Sequence, residues 1–273
     1  MAAERVLSET CGLGFTATEL GPKGFLPEDP ASLRRLLERH HLRLVAGFVP
    51  AVLHVESVRE REMAAVEEQA RTLAEGGAAV LVLAAVTGRE GYEAGLALTD
   101  PEWSALARGL AGAGAIARRH GLELTLHPHY GTVVEGARDV ERLLASTDAG
   151  VCLDIGHLAV AGADPLEVAR RADGRVRHVH LKDVDARLAE RVRRRELSYH
   201  EAVKQGLYRP LGQGTGRVGE VVRWLESQGY DGWYVFEQDT VLDADPPPGR
   251  GPLEAAGESL AFLRGLQTRM RGA

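Results

Sequence analysis

Two rhythms alternate along the chain. Short, dense apolar stretches such as LRLVAGFVP (42–50) and AAVLVLAA (78–85) are followed by longer stretches with apolar residues every three to four positions. The first rhythm predicts strands, the second amphipathic helices. The uninterrupted run at 78–85 predicts a strand covered on both faces. Seven strands are predicted, at 15–20, 42–49, 78–85, 122–128, 149–155, 176–182 and 233–237. Helices are predicted at 4–11, from Ser32 (as N-cap) to about His40, and at 57–76, 101–120, 136–147, 165–172, 186–205, 218–228 and 253–270. Strand–helix units of this length suit an α/β fold of the (β/α)8 barrel type. Only three residues precede the first helical position, so the first of the eight strands is missing from the pattern and seven are visible. No change of composition marks a linker, so residues 1–273 are read as a single domain. A seam left by the absent strand would expose two sheet edges, which predicts a homodimer covering the gap.

Four of the strand-like segments end in residues that can hold a metal. LELTLHPH ends at His127 and His129, GVCLDIGH carries Asp154 and His157, VRHVHLKD carries His180 and Asp183, and WYVFEQD carries Glu237 and Asp239. In a parallel sheet every strand C-terminus faces the same side, so these residues are expected to converge. Imidazole and carboxylate together suit Mn2+, Co2+, Zn2+ or Mg2+. Side chains alternate along a strand, so His178 and His180 share one face. A lone strand-end histidine is usually only a hydrogen-bonded polar residue; its equivalents on neighbouring strands favour a functional role for His180. Asp154 is alternatively an N-cap. Glu237 is alternatively an ion-pair partner, because a carboxylate in an aromatic strand is costly to bury alone. Glu19, His54, Lys182 and Arg209 are candidate substrate contacts. The loop PLGQGTG (210–216) matches no phosphate-binding pattern and reads as a flexible loop over the site.

Charge and cysteine content narrow the partners. The net charge is −6, from 33 Lys+Arg and 39 Asp+Glu, which argues against a nucleic-acid surface. Two cysteines, Cys11 and Cys152, make no disulfide framework and point to a reducing cytoplasm. No apolar run is long enough to span a membrane.

The motifs HPHYGT, LDIGHLAVAGADP, HVHLKDV, YDGWYVFEQD and TELGPKGFLPEDP together resemble the xylose isomerase-like TIM-barrel superfamily of sugar phosphate isomerases and epimerases, and within it the inosose dehydratase branch. The resemblance runs over nearly the whole chain from Glu4. It implies a divalent metal, Mn2+ or Co2+ ahead of Zn2+ or Mg2+, held by Asp154, His180 and Glu237, with His127 in a slot where many members carry Glu. It implies a lyase that dehydrates a cyclic polyol ketone after removing the proton α to a metal-bound carbonyl. Glu237 is the expected ligand and base, with His157 or His129 as the acid. The alternatives are a sugar isomerase or epimerase using the same enediolate chemistry, and a non-catalytic sugar-binding barrel. The substrate is expected to be a small polyol or sugar, with no nucleic acid or membrane partner. Two departures stand out. Members normally open with a strand, and they often carry an acidic residue near Thr215 or Arg217, where this chain has none.

Overall fold

The apolar run read as a doubly covered strand is one: all six residues of β3 (Val80–Ala85) are buried. The computed structural model describes residues 1–271. Two compact units are distinguished by their internal contacts. One comprises Met1–Arg89, Leu96–His127 and Leu143–Gly150; the other comprises Glu90–Gly95, Pro128–Arg142 and the chain from Val151 onward.

In the first unit the elements are α1 (Ala3–Gly12), β1 (Ala17–Glu19), α2 (Pro30–Arg39), β2 (Arg43–Ala51), α3 (Arg59–Gly76), β3, α4 (Asp100–Arg119) and β4 (Glu123–Leu126). The first described element is thus a helix, as the sequence pattern predicts. The strands are parallel and in sequence order, with Ala46 opposite Val80 and Val80 opposite Glu123. Fully buried Leu33, Ala70, Leu73, Leu106 and Ala117 cover them with helix faces. Helix starts follow local capping chemistry. The α2 cap is Asp29, not Ser32: the Ser32 amide donates to the Asp29 carboxylate at 2.8 Å, and Pro30 occupies the first turn, where its missing N–H costs nothing. Thr99 and Glu102 form a capping box at the start of α4.

α5 (Ala137–Ser146) leads to β5 (Gly150–Asp154), α6 (Ile155–Val160), α7 (Pro165–Ala172), β6 (Val176–Leu181), β7 (Asp183–Val184), α8 (Ala186–Arg193), α9 (Tyr199–Lys204), β8 (Tyr208–Arg209), α10 (Val218–Ser227), β9 (Tyr234–Phe236) and α11 (Pro252–Arg271). In the second unit β5, β6 and β9 run parallel in that order. The stretch read as one helix over 186–205 is broken. α8 closes near Arg195, which sits at φ +58°, and Ser198 restarts the helix by accepting from the Glu201 amide. Beyond Lys182 the chain adds a two-residue antiparallel ladder, β7 with β8, that the sequence pattern does not signal. Tyr130, Val160, Val192, Leu207 and Tyr208 pack together beneath it.

The loop at 210–216 is anchored. The Asp183 carboxylate accepts from the amides of Gly212 (2.9 Å), Gly214 (3.0 Å) and Gly216 (2.7 Å). Convergent amides of this kind hold an anion; here the anion is the chain's own. Asp183, read as a possible metal ligand from its place at a strand end, is therefore committed to the loop. Among the described residues no helix is long and apolar enough to cross a membrane.

Candidate active site

The register of β5 on β6 places Asp154 directly opposite His180. β9 pairs on the far side of β6, with Leu181 opposite Phe236 and Glu237 immediately after. Three consecutive strands therefore deliver an aspartate, a histidine and a glutamate to one end of the sheet. One ligand-type atom from each of Asp154, His180 and Glu237 lies within 4.8 Å of the other two.

Asp154 satisfies both readings the sequence allows. Its Oδ1 accepts from the His157 amide at 2.7 Å, capping α6, while Oδ2 lies 3.1 Å from Lys182 Nζ and 3.4 Å from His180 Nδ1. The carboxylate is fully buried. His180 Nδ1 is 2.8 Å from Glu237 Oε2. Glu237 leaves 37% of its side chain exposed although its Oε2 is buried, so the carboxylate spans the wall of the site.

Lys182 is the centre of the cluster. Its Nζ lies 2.8 Å from Glu237, 3.1 Å from Asp154 and 3.1 Å from Asp239, and 3.0 Å from His157 Nε2. Burial opposes a charge here, but Asp154, Asp239 and Glu237 overrule it and hold the ammonium well above its usual pKa. Burial likewise opposes ionisation of Glu237, and Lys182 and His180 overrule it, holding its pKa well below the usual carboxylate range. Asp239 shifts up, through burial first and then the charges of Glu237 and Asp154, with Lys182 opposing. Gly156 makes room for the lysine: a Cβ there would lie 2.5 Å from Lys182 Cβ and 2.9 Å from the Tyr208 ring.

His157 is held from two sides. Its Nδ1 is 3.2 Å from the Tyr208 hydroxyl, which is 3.0 Å from the Tyr199 hydroxyl. Its ring stacks on that of His129 with centroids 3.6 Å apart. The His129 Nδ1–H donates to the Tyr130 carbonyl at 2.7 Å, leaving Nε2 as the atom for chemistry.

Of the remaining sequence candidates, Arg209 sits on β8 and pairs with Asp185 at 3.0 Å. In the first unit, Glu19 ends β1, and His127 follows β4 with its amide donating to the Leu83 carbonyl at 2.8 Å and its ring edge-on to Phe48. His54 follows β2, is 5% exposed, and its Nδ1 has no hydrogen-bond partner among the described residues. Burial lowers the His54 pKa, with Glu102 opposing. Folding therefore favours its neutral form, and the unfolded chain binds more protons just below about pH 6.5. The contribution of His54 to stability is complete above that value and is lost as pH falls toward its folded pKa. Thermal melts from pH 7.5 to 5.5 are expected to show a falling Tm, with a smaller fall in His54→Gln. Equal slopes for the two proteins would refute this.

Sequence reasoning names Asp239 only as a possible metal ligand at a strand end, and gives Tyr199 and Tyr208 no role. Asp239 stands two residues from Glu237 and so shares its side of an extended chain. The tyrosines lie in and after the misread helix and carry no motif.

Parallel strands with helices between them, and a cluster of carboxylates, histidines and lysine at the strand ends, define a metabolic α/β enzyme class. The family described as "Xylose isomerase-like TIM barrel" matches residues 9–266. The chain belongs to that family, and it is an enzyme. It is 30% identical over 270 residues to the inosose dehydratase of Lacticaseibacillus casei, covering 95% of this chain and 88% of that one. It is 32% identical over 247 residues to the inosose dehydratase of Geobacillus kaustophilus (strain HTA426), covering 86% and 80%. Among solved structures it resembles L-ribulose 3-epimerase, with a TM-score of 0.74, 19% identity, and 99% and 90% of the two chains covered. It also resembles the probable 3-DHS dehydratase AsbF from Bacillus anthracis, with a TM-score of 0.73, 14% identity, and 95% and 92% covered.

Proposed function

We propose that this enzyme is a divalent-metal-dependent dehydratase of a cyclic polyol ketone of the inosose type. The carrying observation is the convergence of Asp154, His180 and Glu237 within 4.8 Å, in a chain about 30% identical to inosose dehydratases. The donor set fits a metal. Three carboxylates (Asp154, Glu237 and Asp239) face one ammonium, an excess of negative charge that a divalent ion would balance. Oxygen and imidazole donors suit Mn2+ or Co2+. Asp154, His180 and Glu237 would hold the ion, with His127 the fourth ligand that the family resemblance implies. When bound, the ion would polarise the substrate carbonyl as a Lewis acid.

The chain's own residues supply the rest. The Lys182 ammonium, fixed among three carboxylates, is placed to stabilise negative charge developing on the ketone oxygen. The Glu237 carboxylate accepts the proton from the carbon α to the carbonyl. As the β-carbon–oxygen bond breaks, His157 or His129 in its imidazolium form gives a proton to the departing hydroxyl, which leaves as water. Glu19, His54 and Arg209 remain candidate substrate contacts.

The reading is tested with purified protein stripped of metal and reloaded with Mn2+ or Co2+, incubated with scyllo-inosose. Loss of one water from the substrate mass, together with a new ultraviolet absorption, is expected. A mass-neutral conversion would instead assign a sugar isomerase or epimerase, and no metal-dependent turnover would sink both. A single domain, a cytoplasmic setting and a homodimer belong to the same reading; light scattering on the purified protein tests the last.

A further inference from the structure

The segment Glu90–Gly95 belongs to the second unit, and two adjacent residues in it lead separately to His157. The Tyr92 ring lies on the His129 ring with centroids 4.4 Å apart, and His129 lies on His157 at 3.6 Å. Next along the chain, the Glu93 carboxylate accepts from the amides of Tyr199 (2.7 Å) and His200 (3.2 Å), the first two residues of α9. These first-turn amides have no partner inside the helix, and Ser198 serves the Glu201 amide instead. Tyr199 in turn bonds Tyr208 at 3.0 Å, and Tyr208 bonds His157 Nδ1 at 3.2 Å. One path ends on the face of the imidazole and the other on its far nitrogen.

The seat of the segment is shaped for it. Gly131, at φ +77°, leaves no room for a side chain against the Tyr92 carbonyl. Its amide donates to Glu135 Oε2 at 2.8 Å, and a Cβ at Gly95 would meet that same carboxylate at 2.7 Å. A residue whose task was only to cap a six-residue helix would not need its neighbour stacked on an active-site histidine.

We propose that Tyr92 and Glu93 are positioning residues that together fix the orientation of the His157 ring, so that its Nε2 faces Lys182 and the reacting substrate. The stack restrains rotation about the ring plane's normal only weakly, while the Tyr199–Tyr208 pair pins Nδ1; both are needed to hold one orientation. The role of His157 in turnover rests on the dehydratase reading above.

The test uses the full-length protein and the variants Tyr92→Ala, Tyr92→Phe and Glu93→Ala. Proton–nitrogen NMR of the histidine rings in metal-free protein is compared with kcat and KM for scyllo-inosose in metal-loaded protein, alongside thermal melts. The His157 ring signals are expected to move in Tyr92→Ala and Glu93→Ala and to stay near those of the parent in Tyr92→Phe. A slight displacement of a reacting group can cost up to ~100-fold, so kcat is expected to fall about 10-fold or more in Tyr92→Ala, with KM changed less than about 3-fold and Tyr92→Phe recovering most of the loss. Unmoved His157 signals in Tyr92→Ala would overturn the proposal, as would equal losses in Tyr92→Ala and Tyr92→Phe. Should the parent not turn over scyllo-inosose, the dehydratase reading fails, and the NMR comparison alone decides whether these residues orient His157.

Discussion

Lys182→Met is expected to cost the metal-free protein roughly 3–5 kcal/mol, the usual penalty for removing one partner of a buried ion pair. For a chain of this size that is a Tm lower by on the order of 10 °C. The reason is local: three carboxylates lie within 3.1 Å of one ammonium, and Asp154 is fully buried. Mn2+ or Co2+ is expected to restore part of the lost Tm, and to raise the variant's Tm by more than the parent's, because the ion replaces the missing positive charge. Turnover stays low even with metal, by about 100- to 1,000-fold, as for removal of a group that stabilises a developing oxyanion. Melts with and without a chelator, paired with the inosose assay, measure both effects. A variant as stable as the parent in chelator would show that the lysine does not hold the carboxylates together.

Asp154→Asn separates the two tasks of one side chain. The amide oxygen can still accept from the His157 amide, but the charge facing Lys182 and His180 is gone. Metal retention and turnover are expected to collapse, the latter by more than about 1,000-fold if the ion supplies several kcal/mol to the reaction. Asp154→Ala is expected to lose the same activity and a further ~1 kcal/mol, because it also removes the helix cap. The difference in Tm between the two variants measures the cap, and metal analysis of each measures the site. If Asp154→Asn kept its metal and its rate, Asp154 would be a structural cap and nothing more.

Much of this arrangement is legible in the sequence because it depends on strand ends. Strand boundaries fall within two residues of their expected places in most cases, since dense apolar runs leave little choice of register. Asp154, His180 and Glu237 follow from those boundaries, and their convergence follows from parallel pairing. Features set by tertiary partners are harder to read. Ser32 and Asp29 are both good caps, and the helix begins at whichever is followed by a proline in the first turn. The break at Arg195 depends on where α9 docks, which the helical periodicity of 186–205 does not encode. HLKD reads as a candidate substrate contact at Lys182, and nothing in it says that two carboxylates just beyond a later strand close around the ammonium. The two-residue ladder that carries Arg209, and its ion pair with Asp185, leave no mark in the sequence pattern.

The order of two neighbouring residues has a consequence for how β6 locks into place. Lys182 is surrounded by acids, and Asp183 by glycine amides. Sliding that strand by a single residue in one direction would bring Asp183 to the place of Lys182, and in the other would bring Lys182 to the place of Asp183. The first slip thrusts a carboxylate among three others; the second sets an ammonium against a ring of N–H donors. Both misplacements are repulsive, so the Lys-Asp pair acts as a stop against slippage in either direction.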